Sequence, residues 1–148
     1  MKIIIMWIDD DARYLAAMKS AFEKAAAQSG MDVTIITESD PKLALTKVGD
    51  EKFWAGGTPQ VFFLDFALPY LDGADLANAI AAAPWIRNPI IIYVTALGKA
   101  FASEEEWRKR GGKLDGYDVI LKGSRSIRQM FDDAVERARI REKALTAS

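Results

Sequence analysis

The sequence predicts an α/β domain in which a five-stranded parallel sheet carries helices on both faces. Short apolar runs alternate with segments of helical spacing, so that a βα unit occurs five times along the chain. The apolar runs are continuous rather than alternating, which is typical of strands buried on both faces of a parallel sheet. These observations predict one doubly wound domain with right-handed crossovers.

Five strands are predicted from the apolar runs, of which the last is the weakest. The runs are Ile3–Ile8, Val33–Ile36, Val61–Leu64, Ile90–Val94 and Val119–Leu121. Each is too short to be a complete helix and is followed by polar or turn residues, as expected for buried strands.

Helical spacing fills the segments that follow these strands. Leu15, Met18 and Phe22 form an apolar stripe that leads to Gly30, a residue type common at helix ends. Asp40-Pro41 is a helix-start signal, since proline is favoured at the first helical position. Further helices are predicted over 72–83, over 104–110 from three acidic and basic pairs at i and i+4, and over 127–138 from an apolar stripe.

The composition is that of a globular domain close to electrical neutrality. The 148 residues hold 20 Lys plus Arg and 21 Asp plus Glu, giving a formal net charge of -1, so a nucleic-acid partner is not expected. Cys and His are both absent. Their absence excludes zinc sites built on those residues, thiol nucleophiles, Ser-His-Asp triads and histidine phosphorylation of this chain.

The amino-terminal apolar run, Ile3–Ile8, is too short for a signal peptide or for a membrane span of about 20 residues. We therefore expect a cytoplasmic protein with no membrane partner. We find no linker, repeat or low-complexity segment, and so expect residues 1–148 to form a single domain without an effector domain. Residues from about 142 to 148 are predicted to be a frayed tail.

Polar residues follow the strands at their carboxyl ends, where ligands gather in folds of this kind. They are Asp9, Asp10 and Asp11 after the first strand, Asp65 after the third, Thr95 after the fourth and Lys122 after the fifth. One aspartate would suffice to cap the next helix. Three in a row, facing a fourth, would repel one another unless a cation neutralised them, which predicts a metal site.

The chemistry of these residue types favours phosphoryl transfer. Oxygen ligands without His or Cys favour Mg²⁺ or Mn²⁺, ions that leave room for waters and a phosphate. Asp65 could attack phosphorus and form an aspartyl phosphate, while Lys122 offsets the charge of the phosphoryl oxygens and Thr95 donates a hydrogen bond to one of them. Taken singly, Thr95 is better explained as a β-branched strand residue and Lys122 as an exposed residue at a strand end.

The combined pattern resembles the receiver domain of bacterial two-component response regulators, of the stand-alone CheY-like type. Four motifs occur in order over nearly the whole chain: Asp9-Asp10, the Asp-x-x-x-Pro-x-x-Asp-Gly loop from Asp65 to Gly73, Val94-Thr95-Ala96 and Ile120-Leu121-Lys122. The resemblance implies a flavodoxin-like strand order of 2-1-3-4-5.

The resemblance also implies a role for each site residue. Asp65 is the expected phosphoacceptor, and Mg²⁺ is expected to be bound directly by Asp10, Asp65 and the backbone carbonyl of Ala67, with Asp9 acting through water. Thr95 and Lys122 are expected to hold the phosphoryl group and report its presence.

The same resemblance implies a signalling role rather than an enzymatic one. The chain would assist only its own phosphorylation and dephosphorylation. Its expected partners are a histidine kinase or a histidine phosphotransfer protein, an unknown downstream protein target and, as a further candidate, a second copy of itself.

The sequence departs from the family pattern near the lysine. The family usually has a proline joined by a cis bond after this lysine, whereas Lys122 is followed by Gly123, for which we predict a trans bond and a reshaped loop. Val119 stands where the family often has a switching aromatic residue, and Tyr117 comes two positions earlier on the same face of the strand. The segment from Thr95 to Lys122 is also longer than is usual.

Two apolar residues near the site bear on the lifetime of an aspartyl phosphate. Ala67 and Leu97 each lie two positions after a site residue, and neither can position a hydrolytic water by hydrogen bonding. The sequence therefore predicts a long-lived phosphorylated state.

Two other readings compete with a phosphorylated receiver. In the first, the chain is a phosphorylation-independent receiver that acts as a protein–protein interaction module, which Gly123 and Val119 favour. In the second, it is a phosphatase of the haloacid-dehalogenase type, but Arg13 stands where that motif needs Thr or Val. Neither a Walker loop nor a Gly-x-Gly-x-x-Gly turn is present.

Overall fold

The computed structural model describes residues 1–66, 68, 71–96, 109, 113–114 and 116–147. Within these residues it contains the following elements: β1 (Ile3–Ile8), α1 (Ala12–Ser29), β2 (Val33–Glu38), α2 (Pro41–Val48), a 3-10 helix (Glu51–Trp54), β3 (Val61–Leu64), α3 (Gly73–Ala82), β4 (Ile90–Thr95), β5 (Lys113–Leu114), β6 (Tyr117–Leu121) and α4 (Ile127–Thr146).

The sheet has the order β2-β1-β3-β4-β6-β5. The strands β2, β1, β3, β4 and β6 are parallel, and β6 is the fifth strand predicted from the sequence. The predicted α/β fold and the order 2-1-3-4-5 are therefore confirmed. The sixth strand was not predicted: β5 has two residues and pairs antiparallel with β6 at the sheet edge. Such a short strand carries no apolar pattern of its own, and the hairpin depends on Gly116, whose φ of 85° favours glycine.

The predicted helix starts are confirmed by their capping contacts. Asp11 and Asp40 cap α1 and α2, and Pro41 is the first residue of α2. At the start of α3, the Asp72 carboxylate accepts a hydrogen bond from the backbone N–H of Asp75, and the Asp75 carboxylate accepts one from Asp72. Helix α1 ends at Gly30, which has the left-handed φ of 65° typical of such ends.

The last helix is longer than the sequence suggested. Helix α4 continues to Thr146, so the expectation of a frayed tail from about residue 142 is wrong for residues 142–146. Hydrogen bonds hold the end of the helix: the Arg141 guanidinium donates to the backbone carbonyls of Arg87 and Asn88, and the Thr146 hydroxyl donates to the carbonyl of Glu142. The helix predicted over 104–110 lies outside the described residues, apart from Lys109.

Hydrophobic cores cover both faces of the sheet. The core under α1 and α4 contains an aromatic cluster in which the Trp7 ring stacks on Phe63 at 4.3 Å and meets the edge of Phe22 at 5.3 Å. The core under α2 and α3 includes Leu76 and Tyr93. Strands buried on both faces hold their carboxyl ends rigidly, and these ends carry the polar residues identified from the sequence.

Among the described helices, we find none with both the length and the apolar character required to cross a membrane.

Candidate functional site

Strand pairing brings the predicted site residues together at the carboxyl ends of the parallel strands. Ile8 is in register with Leu64, and the backbone N–H of Asp65 donates to the carbonyl of Ile8 at 3.0 Å, so Asp9 and Asp65 follow adjacent strands at the same level. Between the next pair of strands, the backbone N–H of Lys122 donates to the carbonyl of Thr95 at 2.9 Å.

Three carboxylates form an acidic cluster at these strand ends. Asp9, Asp10 and Asp65 each offer one oxygen, and the three oxygens lie within 4.8 Å of one another. Asp9 and Asp65 are fully buried, whereas Asp10 is exposed. The structure therefore groups the three aspartates that the sequence analysis assigned to a metal site, while Ala67, the fourth expected ligand, lies outside the described residues.

Thr95 contacts the candidate phosphoacceptor directly. Its hydroxyl donates a hydrogen bond of 2.8 Å to Oδ1 of Asp65, and both side chains are fully buried. The contact forms because β3 and β4 are neighbours and Thr95 is the last residue of β4.

Lys122 also reaches the cluster, but it lies closer to Asp9 than to Asp65. Its ammonium nitrogen is 2.7 Å from Oδ2 of Asp9 and 3.9 Å from Oδ2 of Asp65. The peptide bond to Gly123 is trans, as predicted, and Gly123 has a φ of 81°. The glycine therefore does not prevent Lys122 from entering the site.

The Asp9 carboxyl lies in surroundings that disfavour its charged form. Burial raises the pKa of the Asp9 carboxyl, and the charge of Asp65 raises it further. The contacts of this carboxyl with Lys122 and with the backbone N–H of Asp11 lower its pKa, but the net direction is upward. A hard divalent cation such as Mg²⁺ prefers a set of carboxylate oxygens like this one and would offset its charge. The cluster is thus compatible with a receiver-type Mg²⁺ site.

Asp11 does not belong to the acidic cluster. Its carboxylate accepts a hydrogen bond from the backbone N–H of Tyr14 at 3.0 Å and so caps α1, while its own backbone N–H donates to Oδ1 of Asp9 at 2.9 Å. The expectation that three consecutive aspartates would face Asp65 is therefore wrong for the third one, because the chain turns into the helix at that residue.

Tyr14 is a site neighbour that the sequence analysis missed. The Lys122 ammonium lies 4.3 Å from the centroid of the Tyr14 ring. Burial and the negative charges of Asp9, Asp65 and Asp11 raise the pKa of the Tyr14 hydroxyl well above its ordinary value, so the phenol stays neutral. The sequence feature that could have identified Tyr14 is an aromatic residue in the first turn of the helix that follows Asp9-Asp10.

Three aromatic rings pack in succession beside the site, on the face covered by α3. The ring of Phe66, the residue after Asp65, meets Tyr93 edge-on at 5.6 Å, and Tyr93 meets Tyr117 at 6.0 Å. Val119 is buried and in register with Tyr93. Tyr117 thus lies on the same face as Tyr93, two residues before Val119.

Solved structures of response regulator receivers share this architecture. A CheY-like receiver domain protein from Methanospirillum hungatei JF-1 has a TM-score of 0.65 and 22% identity, over 97% of this chain and 99% of that one. The chemotaxis protein CheY4 of Vibrio cholerae has a TM-score of 0.64 and 16% identity, over 93% of this chain and 99% of that one.

A third similar structure is the phosphorylated cyanobacterial phytochrome response regulator RcpA. It has a TM-score of 0.61 and 18% identity, over 100% of this chain and 97% of that one. No protein-family model and no curated protein sequence matches the chain. The likeness is therefore one of fold, and it extends over nearly the whole chain: the protein has the fold of CheY-like response regulator receiver domains.

Proposed function

We propose that this protein is a response-regulator receiver that accepts a phosphoryl group on Asp65 in a Mg²⁺-dependent reaction. The donor is a histidine kinase or a histidine phosphotransfer protein, and the phosphorylated form binds a downstream protein target differently. In this proposal the chain is cytoplasmic and has neither a nucleic-acid nor a membrane partner. It performs no reaction on a separate substrate.

The convergence of five side chains on one point supports this proposal most strongly. Asp65 lies in contact with Thr95 and Lys122 and belongs to an oxygen cluster with Asp9 and Asp10. No single one of these residues would indicate phosphoryl transfer. Together they supply a nucleophile, two groups that can bind phosphoryl oxygens and a set of metal ligands.

The proposed reaction transfers one phosphoryl group between two side chains. A carboxylate oxygen of Asp65 forms a bond to phosphorus as the P–N bond of the donor phosphohistidine breaks, and the electron pair of that bond stays with the imidazole. The Lys122 ammonium and the Thr95 hydroxyl would stabilise the oxygens of the transferred group.

The acidic cluster supplies the proposed metal ligands. Asp10 and Asp65 would bind Mg²⁺ directly together with the carbonyl of Ala67, and Asp9 would act through water. Bound there, Mg²⁺ would neutralise the carboxylates and the phosphoryl oxygens during transfer. Asp10 is exposed, so the ligand set opens towards solvent, the direction from which a phosphodonor must approach.

The test is an intact-mass measurement after incubation with acetyl phosphate and Mg²⁺. We expect a gain of one phosphoryl group that is absent in Asp65→Asn and in EDTA. Asp32→Asn is a matched control, because Asp32 is exposed and lies before β2, at the amino ends of the strands, and its substitution should leave phosphorylation intact. A gain that persists in Asp65→Asn would contradict the assignment of the phosphoacceptor.

One observation favours the second candidate, a phosphorylation-independent interaction module. The ion pair between Lys122 and Asp9 balances part of the negative charge without a metal. This candidate predicts that Mg²⁺ neither binds nor permits phosphorylation. Titration of the tryptophan fluorescence with Mg²⁺, run beside the mass measurement, separates the two candidates.

A further inference from the structure

We propose that Tyr14 is a positioning residue for Lys122, whose ammonium it holds beside the two buried carboxylates of the site. This inference rests on the proposed function, since the role of the lysine in phosphoryl transfer belongs to that proposal. It concerns a residue outside the set of acids, hydroxyl and amine described above.

The contact is a cation–π interaction, and the same ammonium also forms an ion pair with Asp9. The Lys122 ammonium lies 4.3 Å from the Tyr14 ring centroid and 2.7 Å from Oδ2 of Asp9. Ammonium groups within about 6 Å of a ring centroid are attracted by the ring, more strongly when water is largely excluded. The Lys122 side chain is only 19% exposed, so this condition is met.

The Tyr14 ring is itself held in place by the core. It meets the ring of Trp7 edge-on at 5.8 Å, and Trp7 is fully buried and stacked on Phe63. The backbone of Tyr14 is held by the helix cap, since its N–H donates to Asp11. The ring is therefore a fixed surface, whereas a lysine side chain is flexible.

Lys122 needs such a surface because its side chain, unlike its backbone, is flexible. The backbone N–H of Lys122 donates to Thr95, and the turn that follows is closed by the N–H of Ser124 on the carbonyl of Leu121. A flexible four-carbon side chain loses considerable rotamer freedom when its end is held at one point. The ring confines the ammonium to the region between Asp9 and Asp65, so part of this ordering is complete before the phosphoryl group arrives.

A direct test follows the ε-CH₂ protons of Lys122 by NMR in protein labelled with ¹³C-lysine. The signal is assigned by its loss in Lys122→Arg. Protons above an aromatic ring are shifted upfield, so we expect an upfield signal in the unsubstituted protein and in Tyr14→Phe, which keeps the ring. In Tyr14→Met, or in Tyr14→Leu if the first variant is unstable, the signal should move to the position of exposed lysines.

The kinetic arm measures the rate of phosphorylation by acetyl phosphate at saturating Mg²⁺. We expect a fall of about 3- to 10-fold in Tyr14→Met and a rate close to that of the unsubstituted protein in Tyr14→Phe. Met18→Ala, one helical turn further along the same buried face of α1, controls for a loss of packing and should leave the rate unchanged.

The outcomes separate the two proposals. A Lys122 signal without an upfield shift in the unsubstituted protein, or a full rate in Tyr14→Met, would overturn the role of Tyr14 and leave the phosphoacceptor standing. No phosphorylation of the unsubstituted protein would overturn the proposed function and with it the role of Tyr14 in the reaction.

Discussion

The ammonium of Lys122 lies 2.7 Å from Oδ2 of Asp9 and 3.9 Å from Oδ2 of Asp65, so the lysine lies closer to a metal-ligand candidate than to the phosphoacceptor. This geometry makes Lys122 a competitor of any cation that binds the acidic cluster. The competition can be measured without phosphorylation.

We expect Lys122→Met to bind Mg²⁺ about 3- to 10-fold more tightly than the unsubstituted protein, because the competing positive charge is removed from a buried site. Titration of the tryptophan fluorescence gives the affinity. Lys47→Met is the matched control, since Lys47 is also partly buried and paired with a carboxylate, Glu38, but lies outside the cluster. Equal Mg²⁺ affinity in all three proteins would rule out the competition.

The raised pKa of Asp9 predicts a pH-dependent effect of Asp9→Asn on stability. The native pKa lies above the ordinary value of 3.8, so the native state binds this proton more tightly than the unfolded state. The stability contributed by this group is therefore fully present below pH 3.8 and is lost as the pH rises through the raised native pKa. The Asp9→Asn variant cannot ionise at this position, so it does not lose this stability. In EDTA it should become increasingly more stable than the unsubstituted protein as the pH rises.

Urea unfolding followed by circular dichroism, at pH values from about 3 to about 7, measures this difference. Asp32→Asn is a suitable control because Asp32 lies outside the cluster, in the turn before β2. A stability difference for Asp9→Asn that does not change with pH would contradict the raised pKa.

The capping role of Asp11 predicts that its substitution affects stability but not metal binding. Asp11→Ala removes the acceptor for the backbone N–H of Tyr14 and should lower the unfolding free energy by about 1 kcal/mol. Asp11→Asn keeps an acceptor oxygen and should be nearly as stable as the unsubstituted protein. Both variants should retain Mg²⁺ affinity within about threefold, since the cap does not ligate the metal. A much larger loss of Mg²⁺ affinity in Asp11→Asn would place this carboxylate in the metal site after all.

Close packing at Gly73 predicts that a single methyl group disturbs the site. A Cβ there would lie 2.7 Å from the backbone oxygen of Asp65, 2.8 Å from Cα of Phe66 and 3.1 Å from Cε1 of Tyr93. Gly73→Ala must therefore displace the backbone around the phosphoacceptor, at a cost of about 1 to 3 kcal/mol in unfolding free energy. The rate of phosphorylation of Asp65 should fall as well.

Thermal unfolding and the phosphorylation rate together test this prediction. Gly56→Ala is the control, because a Cβ at Gly56 meets nothing within 4 Å among the described residues, and its stability should change by less than about 0.5 kcal/mol. If Gly73→Ala behaves like Gly56→Ala, the close approach of α3 to Asp65 does not constrain the site.

The apolar residue at position 67 predicts slow loss of the phosphoryl group. Ala67→Asn introduces an amide that can hydrogen-bond a hydrolytic water, so the rate of decay after removal of the donor should change. Intact mass followed over time gives this rate. An unchanged decay would mean that the side chain at this position does not limit hydrolysis.

Much of the fold follows from local sequence properties. Continuous apolar runs predict strands buried on both faces, and Asp40-Pro41 or Asp72 before an apolar stripe predicts a helix start, because these signals act within one or two turns of chain. The edge strand Lys113–Leu114 and the extension of the last helix to Thr146 were missed. Both depend on partners distant in sequence, which are β6 for the strand and the carbonyls of Arg87 and Asn88 for Arg141.

The candidate site, like the fold, was predicted from the sequence only in part. The sequence by itself determined which residue types stand at the strand ends, and hence that Asp9, Asp10, Asp65, Thr95 and Lys122 are the candidates for chemistry. Only the tertiary structure decided their partners: Asp11 turns away to cap a helix, Lys122 pairs with Asp9, and Tyr14 lies against the ammonium. Residue type is written in the chain, whereas a side chain's partner depends on distances across strands and helices that only packing sets.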